Sequence, residues 1–539
     1  MLFNKPTPKS AQQATQKRAQ WLPQHLRLTP DQSWLLLFTL AAIALWTISL
    51  GNVPLRDWDE GTYALVAREL TRAQHWVYPT QFGSPFLLKP PLGLWLVAGS
   101  YQLFGTASEF AARLPMALIS ALGVPLLYAL TRELTPHRRD AILTAGVYLT
   151  LLPVVRHGRL LMLDGIINTF LILLLFCLLK SKRSAPWASG IGLCIAAIAL
   201  TKGVLVLALG GIILVFVCLD RRWSIFKNAY TWFGLALGLS LVLGWYAAQF
   251  QRYGTVFLDV HLGAQNFARV ATAVEGNDGP PWYYLWELVK YTGPWLLFWP
   301  GGLWLAWRER HTTRGCLILT GTILFLGTIS VMGTKLPWYV MPLYPFLALA
   351  VGWQLATCSH GKLSLYAYRL RWAFVGLAIA GVGGTLYLTL TDPQLPLLLM
   401  AVSLAVTMAW TAQQLLTRNP DFIARLIPGL YICLMLLMLS QSWVWELNEA
   451  FPVVALGRLL NAQTPPDTIV YSSLNYNRPS LDFYSDRQVL AASLDTLPQL
   501  RQTGHYLLLN QAALEALKIP TQAIVGQTDD LILIGPTNR

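Results

Sequence analysis

Several residues between positions 56 and 91 are of types that can do chemistry on a polar group. This stretch holds three closely spaced carboxylates and a downstream cation: Asp57, Asp59, Glu60 and Lys89. A carboxylate can serve as a general base, and a fixed cation can stabilise an anionic leaving group. The stretch follows an apolar run at 34–50 that is about one membrane thickness long. The pattern therefore predicts chemistry at a membrane face, on a polar group carried by a lipid.

The same residues also admit a purely structural interpretation. Asp is a preferred N-cap residue, so Asp59 could simply cap a helix that starts near Gly61. That helix is predicted by the apolar face formed by Tyr63, Val66 and Leu70. This stretch alone does not decide between a catalytic and a capping role for Asp59.

Further polar residues collect near the ends of apolar runs on the same predicted side of the membrane: Arg156, His157, Arg159, Asp164, Lys202, His261, Arg269, Lys335 and Tyr339. Charged residues inside spans are costly, so each calls for a partner or a function. Asp164 either pairs with Arg159 or lines a polar cavity. His261 and Tyr339 are equally compatible with interface positions. The spacing of Lys335 and Tyr339 predicts a cation and a hydroxyl on one helix face.

The composition is that of a polytopic membrane protein. The 539 residues are 55% hydrophobic and only 12% charged, whereas soluble domains carry about 25% charged residues. Lys and Arg exceed Asp and Glu by 14 charges, an excess that cytoplasmic loops explain without nucleic acid. The six cysteines lie in or beside apolar runs and form no CxxC pair, so neither a thiolate zinc site nor a disulfide framework is indicated.

The apolar runs predict 13 transmembrane helices: 33–51, 110–131, 140–157, 161–179, 186–201, 203–219, 229–251, 284–306, 314–333, 336–357, 371–391, 394–416 and 424–446. Basic residues alternate between successive connections only if the run 186–219 is split at 201–203. The positive-inside rule then places the N-terminus in the cytoplasm and the C-terminus outside.

The predicted fold is thus mostly α, with a cytoplasmic basic tail at 1–32 and a transmembrane domain at 33–446. The tail lacks a cleavable signal pattern, so a retained anchor is expected. Outer loops are predicted at 52–109 and 252–283. Residues 447–539 are expected to form a small extracytoplasmic α/β domain, with strands at Thr468–Tyr471, Tyr506–Leu509 and Leu531–Ile534 and helices near 453–463 and 511–517.

The sequence contains no Gly-rich phosphate loop and no HExxH motif, so nucleotide binding and zinc hydrolysis are not indicated. A group-transfer enzyme with an outer active site has no nucleotide pool to draw on. Its donor would have to arrive on a lipid.

A series of motifs in fixed order resembles a known family. The motifs are DEGTYALVAREL at 59–70, G-x-P-F-x-x-K-P-P-L at 83–92, AARLP at 111–115, RLLMLDG at 159–165, PWYYL at 281–285, KLPWYVMPLYP at 335–345 and PSLDFYSDR at 479–487. Together they are similar to the bacterial GT-C glycosyltransferases related to protein O-mannosyltransferases and to the aminoarabinose transferase that modifies lipid A.

The resemblance implies a polyprenyl-phosphate sugar donor, a periplasmic transfer site and a multi-pass protein of the bacterial inner membrane. By motif position, Asp59 matches the catalytic aspartate and Asp164 the second acidic site residue. Lys89, Arg269 and Tyr339 match the groups that hold the lipid phosphate. Some relatives carry an acidic residue directly before the lysine, where this chain has Leu88, so no metal and no other cofactor is expected.

Four other residues are candidates for substrate contact: Glu60, Arg159, His261 and Lys335. The expected partners are a lipid, glycan or protein acceptor and the membrane, without nucleic acid, and a monomer is expected. Asp59 would act as general base in a single displacement that inverts the anomeric carbon.

Two rival interpretations remain open at this point. A transporter or lipid flippase would place its polar residues near mid-membrane on broken helices. A non-catalytic assembly subunit would leave Asp59, Lys89 and Asp164 dispersed, without a shared cavity.

Overall fold

The computed structural model describes residues 28–274, 276–358, 365–445, 453–528 and 531–537. Helices dominate this part of the chain, and the strands are confined to one short hairpin and a C-terminal sheet. The predicted cytoplasmic tail lies almost entirely outside the described residues.

Eight helices in the described part of the chain are long and apolar enough to cross a membrane: Glu109–Leu134, Ala185–Lys202, Ala229–Tyr253, Thr313–Val331, Pro337–Cys358, Tyr366–Thr391, Leu395–Leu416 and Phe422–Leu439. A ninth span is possible if Arg138–Leu149 and Leu152–Arg159, which meet at an angle of 58°, are taken together. The chain is therefore a multi-pass membrane protein of mostly helical fold, and the count of 13 spans stays a prediction.

The other helices before residue 445 are shorter or more polar: Pro30–Thr47, Asp59–Ala73, Leu92–Phe104, Asp164–Lys180, Leu205–Leu219, Trp223–Lys227, Thr255–Leu258, Asp259–Phe267, Ala268–Ala271, Tyr283–Tyr291, Trp295–Phe298 and Trp299–Arg308. The predicted span 284–306 is therefore interrupted once, between Tyr291 and Trp295, since the helix Trp295–Phe298 runs directly into Trp299–Arg308. Its break contains Gly293 and Pro294, and proline cannot continue a helix through its missing N–H.

The segment after the first helix forms a helix, a hairpin and a second helix. Tyr63, Val66 and Leu70 are all buried, which confirms the predicted apolar face of Asp59–Ala73. The hairpin pairs Thr80–Gln81 with Ser84–Pro85. The Thr80 hydroxyl donates to Glu69 Oε2 at 2.8 Å, so the hairpin is fastened to this helix.

Residues 453–537, here called the C-terminal unit, form a five-stranded mixed sheet with helices. In spatial order the strands are Gln488–Ala491, Ile469–Ser472, Tyr506–Leu509, Ile532–Ile534 and Ile524–Gln527. The first three strands are parallel, and the last two are antiparallel to their neighbours. The helices are Val453–Gln463, Pro479–Ser485, Leu497–Gln502 and Gln511–Ala516.

The C-terminal unit docks on the helix that begins at Asp59. Arg68 Nη1 donates to the carbonyl of Phe483 at 2.7 Å and its other Nη lies 3.0 Å from Asp486. A Cβ on Gly61 would lie 2.5 Å from Ser480 N, so only glycine allows this approach. Docking therefore fixes the N-terminal end of the helix that carries Asp59.

Candidate functional site

Six residues with ionisable side chains, from separate parts of the chain, line one cavity of about 220 Å³: Lys89, Asp164, Lys202, His261, Arg269 and Tyr339. Thr328 and mainly apolar residues, among them Leu205 and Phe325, form the rest of its wall. This space is called the polar cavity below. Five of the six residues were predicted as site residues from the sequence, and the fold brings them together.

Asp59 lies at the start of its helix and does not cap it. The N-cap position is occupied by Trp58, and the helix begins at Asp59. The Tyr63 hydroxyl, one turn later, donates to Asp59 Oδ1 at 3.2 Å. The alternative interpretation of Asp59 as an N-cap is therefore wrong, and this half-buried carboxylate is held by a single hydroxyl from its own helix.

Lys89 lies in the loop between the hairpin and the helix Leu92–Phe104, and His261 fixes that loop. His261 Nδ1 donates to the carbonyl of Leu87 at 3.0 Å, and Tyr246 donates its hydroxyl proton to Nε2 at 2.9 Å. His261 is 1% exposed. Its position suits a residue that places Lys89, although it also reaches the cavity wall.

Asp164 begins the helix Asp164–Lys180, and Lys202 ends the helix Ser189–Lys202. Lys202 Nζ lies 2.7 Å from Asp164 Oδ1 and 5.2 Å from the centre of the Tyr339 ring. The predicted alternative, a pair between Asp164 and Arg159, is wrong. Asp164 instead lines the polar cavity beside a lysine from another helix.

Arg269 reaches the cavity from the short helix Ala268–Ala271, which is tied to the loop before Tyr339. The backbone N–H of Thr334 donates to the carbonyl of Arg269 at 3.0 Å. Lys335, also in this loop, donates from Nζ to the carbonyls of Ser330 and Met332, each at 2.6 Å. Lys335 thus satisfies carbonyls at the end of a membrane helix, and the expected shared face with Tyr339 is not formed.

The charges around the cavity favour an anionic ligand. Three cations and one carboxylate line it, which leaves two positive charges in excess. Burial lowers the pKa of Lys89 to about 8, while the nearby Asp59 carboxylate opposes this shift and Lys202 adds to it. Burial, together with the charges of Asp59 and Asp164, raises the pKa of Tyr63 well above its usual range. Asp59 therefore acts electrostatically on the same cluster, although its side chain is not part of the cavity wall.

Two predicted contact residues lie away from the cavity, in buried structural networks. Glu60 accepts hydrogen bonds from Arg113 Nε at 2.8 Å and from the backbone of Leu161 at 2.8 Å. Arg159 donates to the carbonyls of Leu45 and Ile48, both at 2.6 Å. Both side chains are fully buried. The structure does not bring either residue to the polar cavity.

Lys202 is the cavity residue that sequence reasoning did not assign to the predicted site. It was named among the polar residues of the outer side and marked the break in the run 186–219, although a lysine inside an apolar run is itself a functional signal. Its partner could not be identified from the sequence, because Asp164 lies 38 positions earlier.

The loop just before Asp59 is held by the C-terminal unit. Arg478 Nη1 donates to Asp57 Oδ2 at 2.6 Å, and Ser480 donates from its hydroxyl to Asp57 Oδ1. Trp58 has φ +62°, a strained value for a bulky residue. Its ring stacks on Tyr476 of the C-terminal unit with centroids 5.1 Å apart. These contacts across the two units set the position of Asp59.

Arg478 is accordingly expected to be a positioning residue. Replacing Arg478 by glutamine should lower kcat of a reaction that uses the Asp59 carboxylate about tenfold, since small displacements of a reacting group are costly, while KM changes little. Steady-state kinetics would check this split. Lysine at 478 should restore part of kcat, and a variant with raised KM but unchanged kcat would contradict the positioning role.

Among the described residues, no group of three or more His, Cys, Asp or Glu side chains is arranged to hold a metal ion. The position before Lys89 is Leu88, which contributes an apolar side chain to the cavity wall. The side chains present in the cavity thus favour direct electrostatic contact with an anion.

Comparisons with known sequences relate the chain to lipid-linked sugar transferases. Residues 88–246 match the family model of dolichyl-phosphate-mannose-protein mannosyltransferase. The chain is 32% identical over 317 residues to undecaprenyl phosphate-alpha-4-amino-4-deoxy-L-arabinose arabinosyl transferase 2 of Sodalis glossinidius, covering 57% of each chain. The corresponding transferase of Erwinia tasmaniensis is 30% identical over 329 residues, 58% of each chain. The match thus spans little more than half the length of these relatives.

Solved structures match nearly the whole chain. The crystal structure of ArnT from Cupriavidus metallidurans bound to undecaprenyl phosphate has a TM-score of 0.78 at 20% identity, covering 93% of this chain and 98% of that one. The oligosaccharyltransferase AglB from Archaeoglobus fulgidus, in complex with an inhibitory peptide and a dolichol-phosphate, has a TM-score of 0.54 at 12% identity, covering 89% and 69%.

Proposed function

Because the chain has the GT-C fold and is related to aminoarabinose transferases and O-mannosyltransferases, we propose that it is a membrane glycosyltransferase. It moves a sugar from a polyprenyl-phosphate donor to a hydroxyl or phosphate of a lipid, glycan or protein acceptor. The site lies at the periplasmic face of a bacterial inner membrane, with the N-terminus in the cytoplasm and the C-terminal unit in the periplasm.

The donor phosphate binds in the polar cavity. Lys89, Lys202 and Arg269 supply positive charge there, and Tyr339 supplies a hydroxyl. As the bond between the anomeric carbon and the phosphate oxygen breaks, negative charge accumulates on the leaving polyprenyl phosphate. Fixed cations stabilise that charge most when it is fully developed, which lowers the barrier.

Asp59 accepts the proton of the acceptor hydroxyl. The acceptor oxygen forms its bond to the anomeric carbon as the phosphate leaves from the opposite side, so one displacement inverts the configuration. Tyr63 orients the Asp59 carboxylate, and Asp164 keeps Lys202 in place. This assigns Asp59 the catalytic proton transfer, a step that contributes about 10²–10⁴-fold in enzymes.

The apolar part of the cavity suits the prenyl chain. It lies between the helices Leu205–Leu219 and Thr313–Val331, with Ile329, Val331 and Met332 in its wall. Val331 is 83% exposed, so this wall continues onto the outer surface of the membrane domain. A lipid tail can lie along such a surface while its phosphate reaches the cations.

One observation carries the proposal: three cations and a carboxylate from distant segments converge on a single cavity that has both a charged and an apolar wall, and the charge of Asp59 acts on the same cations. Neither a flippase nor an assembly subunit requires a carboxylate held beside a cluster of cations that can bind a phosphate. A sugar transferase requires both the base and the cations.

The proposal is tested by comparing envelope molecules of the source bacterium with and without this chain. Mass spectrometry of glycolipids and glycoproteins should show one product that loses a sugar mass in the deletion strain. The wild-type chain should restore it, and the variant Asp59→Asn should not. Unchanged glycolipids, glycans and glycoproteins in the deletion strain would overturn the proposed activity, whereas full restoration by Asp59→Asn would remove Asp59 from the mechanism.

Lys89 gives a pH prediction. Because burial lowers its pKa to about 8, the free enzyme carries this charge below pH 8 and loses it above. We expect kcat/KM for the donor to fall about fivefold between pH 8 and pH 9. The donor phosphodiester does not titrate in this range, so the fall reports the protein.

The matched variant for this prediction is Lys89→Arg, which stays charged at every pH used. Its pH profile should be flat between 8 and 9 even if its rate is lower. A wild-type profile that is equally flat would remove Lys89 from donor binding.

A further inference from the structure

A second cavity, of about 300 Å³, lies at the other end of the helices that carry the polar cavity. Three helices connect the two sites: Asp164–Lys180, Leu205–Leu219 and Thr313–Val331. Asp164, Leu205 and Val331 line the polar cavity, whereas Leu178, Asp220 and Thr313 line the second one. At 1.5 Å per residue these helices are roughly 21–27 Å long, so the cavities lie near opposite membrane faces.

The second cavity, called the basic cavity below, has an excess of positive charge. Lys182, Arg221 and Arg222 line it together with Asp220. Asp220 is occupied, since it pairs with Arg222 and accepts a hydrogen bond from Thr313 at 3.1 Å. Among the described residues, neither Lys182 nor Arg221 forms an ion pair with a carboxylate. Two exposed cations thus face a cavity whose lining carboxylate, Asp220, is already paired with Arg222.

One of these cations lies in the turn that ends a helix. Arg221 has φ +53°, the left-handed conformation in which many helices end; its N–H donates to the carbonyl of Cys218, and the N–H of Arg222 donates to the carbonyl of Val217. This cap fixes the backbone of Arg221 at the cavity. Here the side chain is a guanidinium, whose planar set of donors suits phosphate oxygens.

The surroundings of the basic cavity are those of a membrane interface. Trp223 is 53% exposed and Phe226 is 38% exposed, and both lie in the short helix Trp223–Lys227, which begins two residues after Arg221. Exposed aromatic rings of this kind are enriched where headgroups meet hydrocarbon. Leu178 and Ile225 add apolar surface to the cavity wall. A ligand here can therefore have an anionic group and an apolar tail.

We propose that the basic cavity binds the phosphate group of an anionic phospholipid of the cytoplasmic leaflet. Lys182 and Arg221 contact the phosphate oxygens, and the acyl chains lie beside Trp223 and Phe226. The basic loops at 180–183 and 221–227 place this end of the helices in the cytoplasm by the positive-inside rule. Basic pockets at that face are common sites for anionic headgroups. This inference does not depend on the sugar transfer proposed above.

The test uses the full chain purified in a neutral detergent and native mass spectrometry with added lipid. Wild type should retain one phosphatidylglycerol more readily than phosphatidylcholine, and added KCl should weaken this retention. The double variant Lys182→Gln/Arg221→Asn removes both charges, and asparagine tolerates the left-handed backbone at 221. Its affinity for phosphatidylglycerol should fall about 30-fold.

The control is Arg418→Asn/Lys518→Gln, which removes the same two charges elsewhere. Both residues are exposed, and they too have positive φ, +56° and +50°. The control should bind phosphatidylglycerol as wild type does. The proposal would be overturned by any of three results. Wild type and the cavity variant could retain phosphatidylglycerol equally, the control could lose it as the cavity variant does, or its retention could be insensitive to KCl.

A further arm separates the lipid from a free anion. Millimolar inorganic phosphate should not displace phosphatidylglycerol, since the acyl chains add apolar contacts that the ion lacks. Complete displacement would show a site for the free anion and overturn the lipid assignment. If the cavity variant fails to fold, the charge-preserving variant Lys182→Arg/Arg221→Lys takes its place. It should retain the lipid with the salt dependence of wild type, and loss of that dependence would overturn the proposal.

Discussion

Replacing Asp59 by asparagine is expected to reduce sugar transfer by about 10²–10⁴-fold. Asparagine has nearly the same size and can still accept the hydrogen bond from Tyr63, but it cannot take the proton of the acceptor hydroxyl. Donor binding should persist, because the cations of the polar cavity are unchanged. Transfer from a radiolabelled polyprenyl-phosphate sugar, measured with the purified chain, would check this.

The matched control is Asp495→Asn, an exposed aspartate of the C-terminal unit. It should retain wild-type transfer. Thermal unfolding in detergent would confirm that both variants fold, and NMR of the product would test for inversion. If Asp59→Asn turned over at a near wild-type rate, the proton transfer would have to be assigned to another group.

The second large effect is expected for Glu60→Gln, on stability. Glu60 is fully buried. It accepts hydrogen bonds from Nε and Nη2 of Arg113, both at 2.8 Å, and from the backbone N–H of Arg56 at 2.9 Å. The substitution leaves the buried Arg113 charge uncompensated, which costs about 3–5 kcal/mol. The free energy of unfolding, measured in detergent with added denaturant, should fall by that amount.

The pH dependence gives a second measure of the same network. Burial alone would raise the pKa of Glu60, but Arg113 and Arg56 outweigh it and lower the pKa to about 2. A depressed pKa stabilises the fold above the unfolded-state value of 4.5, and this stabilisation is lost as pH falls from there toward 2. Glu60→Gln should lack that contribution.

Glu515→Gln, at an exposed position, serves as the control and should change the stability by less than about 0.5 kcal/mol. If the Glu60→Gln protein instead had normal stability and a raised KM for the donor, Glu60 would be a substrate-contact residue, as its position in the sequence predicted.

The connection between the two units explains why the C-terminal unit belongs to the proposed site. Asp57 and Glu60 flank Asp59 but point away from the polar cavity, one to Arg478 of the C-terminal unit and the other to Arg113 of the membrane domain. The three neighbouring carboxylates thus have different partners. Two of them anchor the loop, and the third is left for chemistry.

Sequence reasoning selected as site residues five of the six ionisable residues that line the polar cavity, and it also selected residues that the structure places elsewhere. Asp59, Lys89, Asp164, Arg269 and Tyr339 came from motif position, and the cavity or its charges include all of them. Lys335, Arg159 and Glu60 were selected because a charge near a membrane face is unusual. The structure shows that backbone carbonyls or a buried counterion satisfy each of them.

The sequence by itself determined the membrane class, the apolar face of Asp59–Ala73 and the types of residue available for chemistry. These follow from composition and local periodicity, which are properties of neighbouring residues. Only the tertiary structure decided that Lys202 pairs with Asp164, that Arg478 holds Asp57, and that the predicted span 284–306 is broken. Such pairings join side chains far apart in the chain, and their geometry is set by how the helices pack rather than by any local pattern.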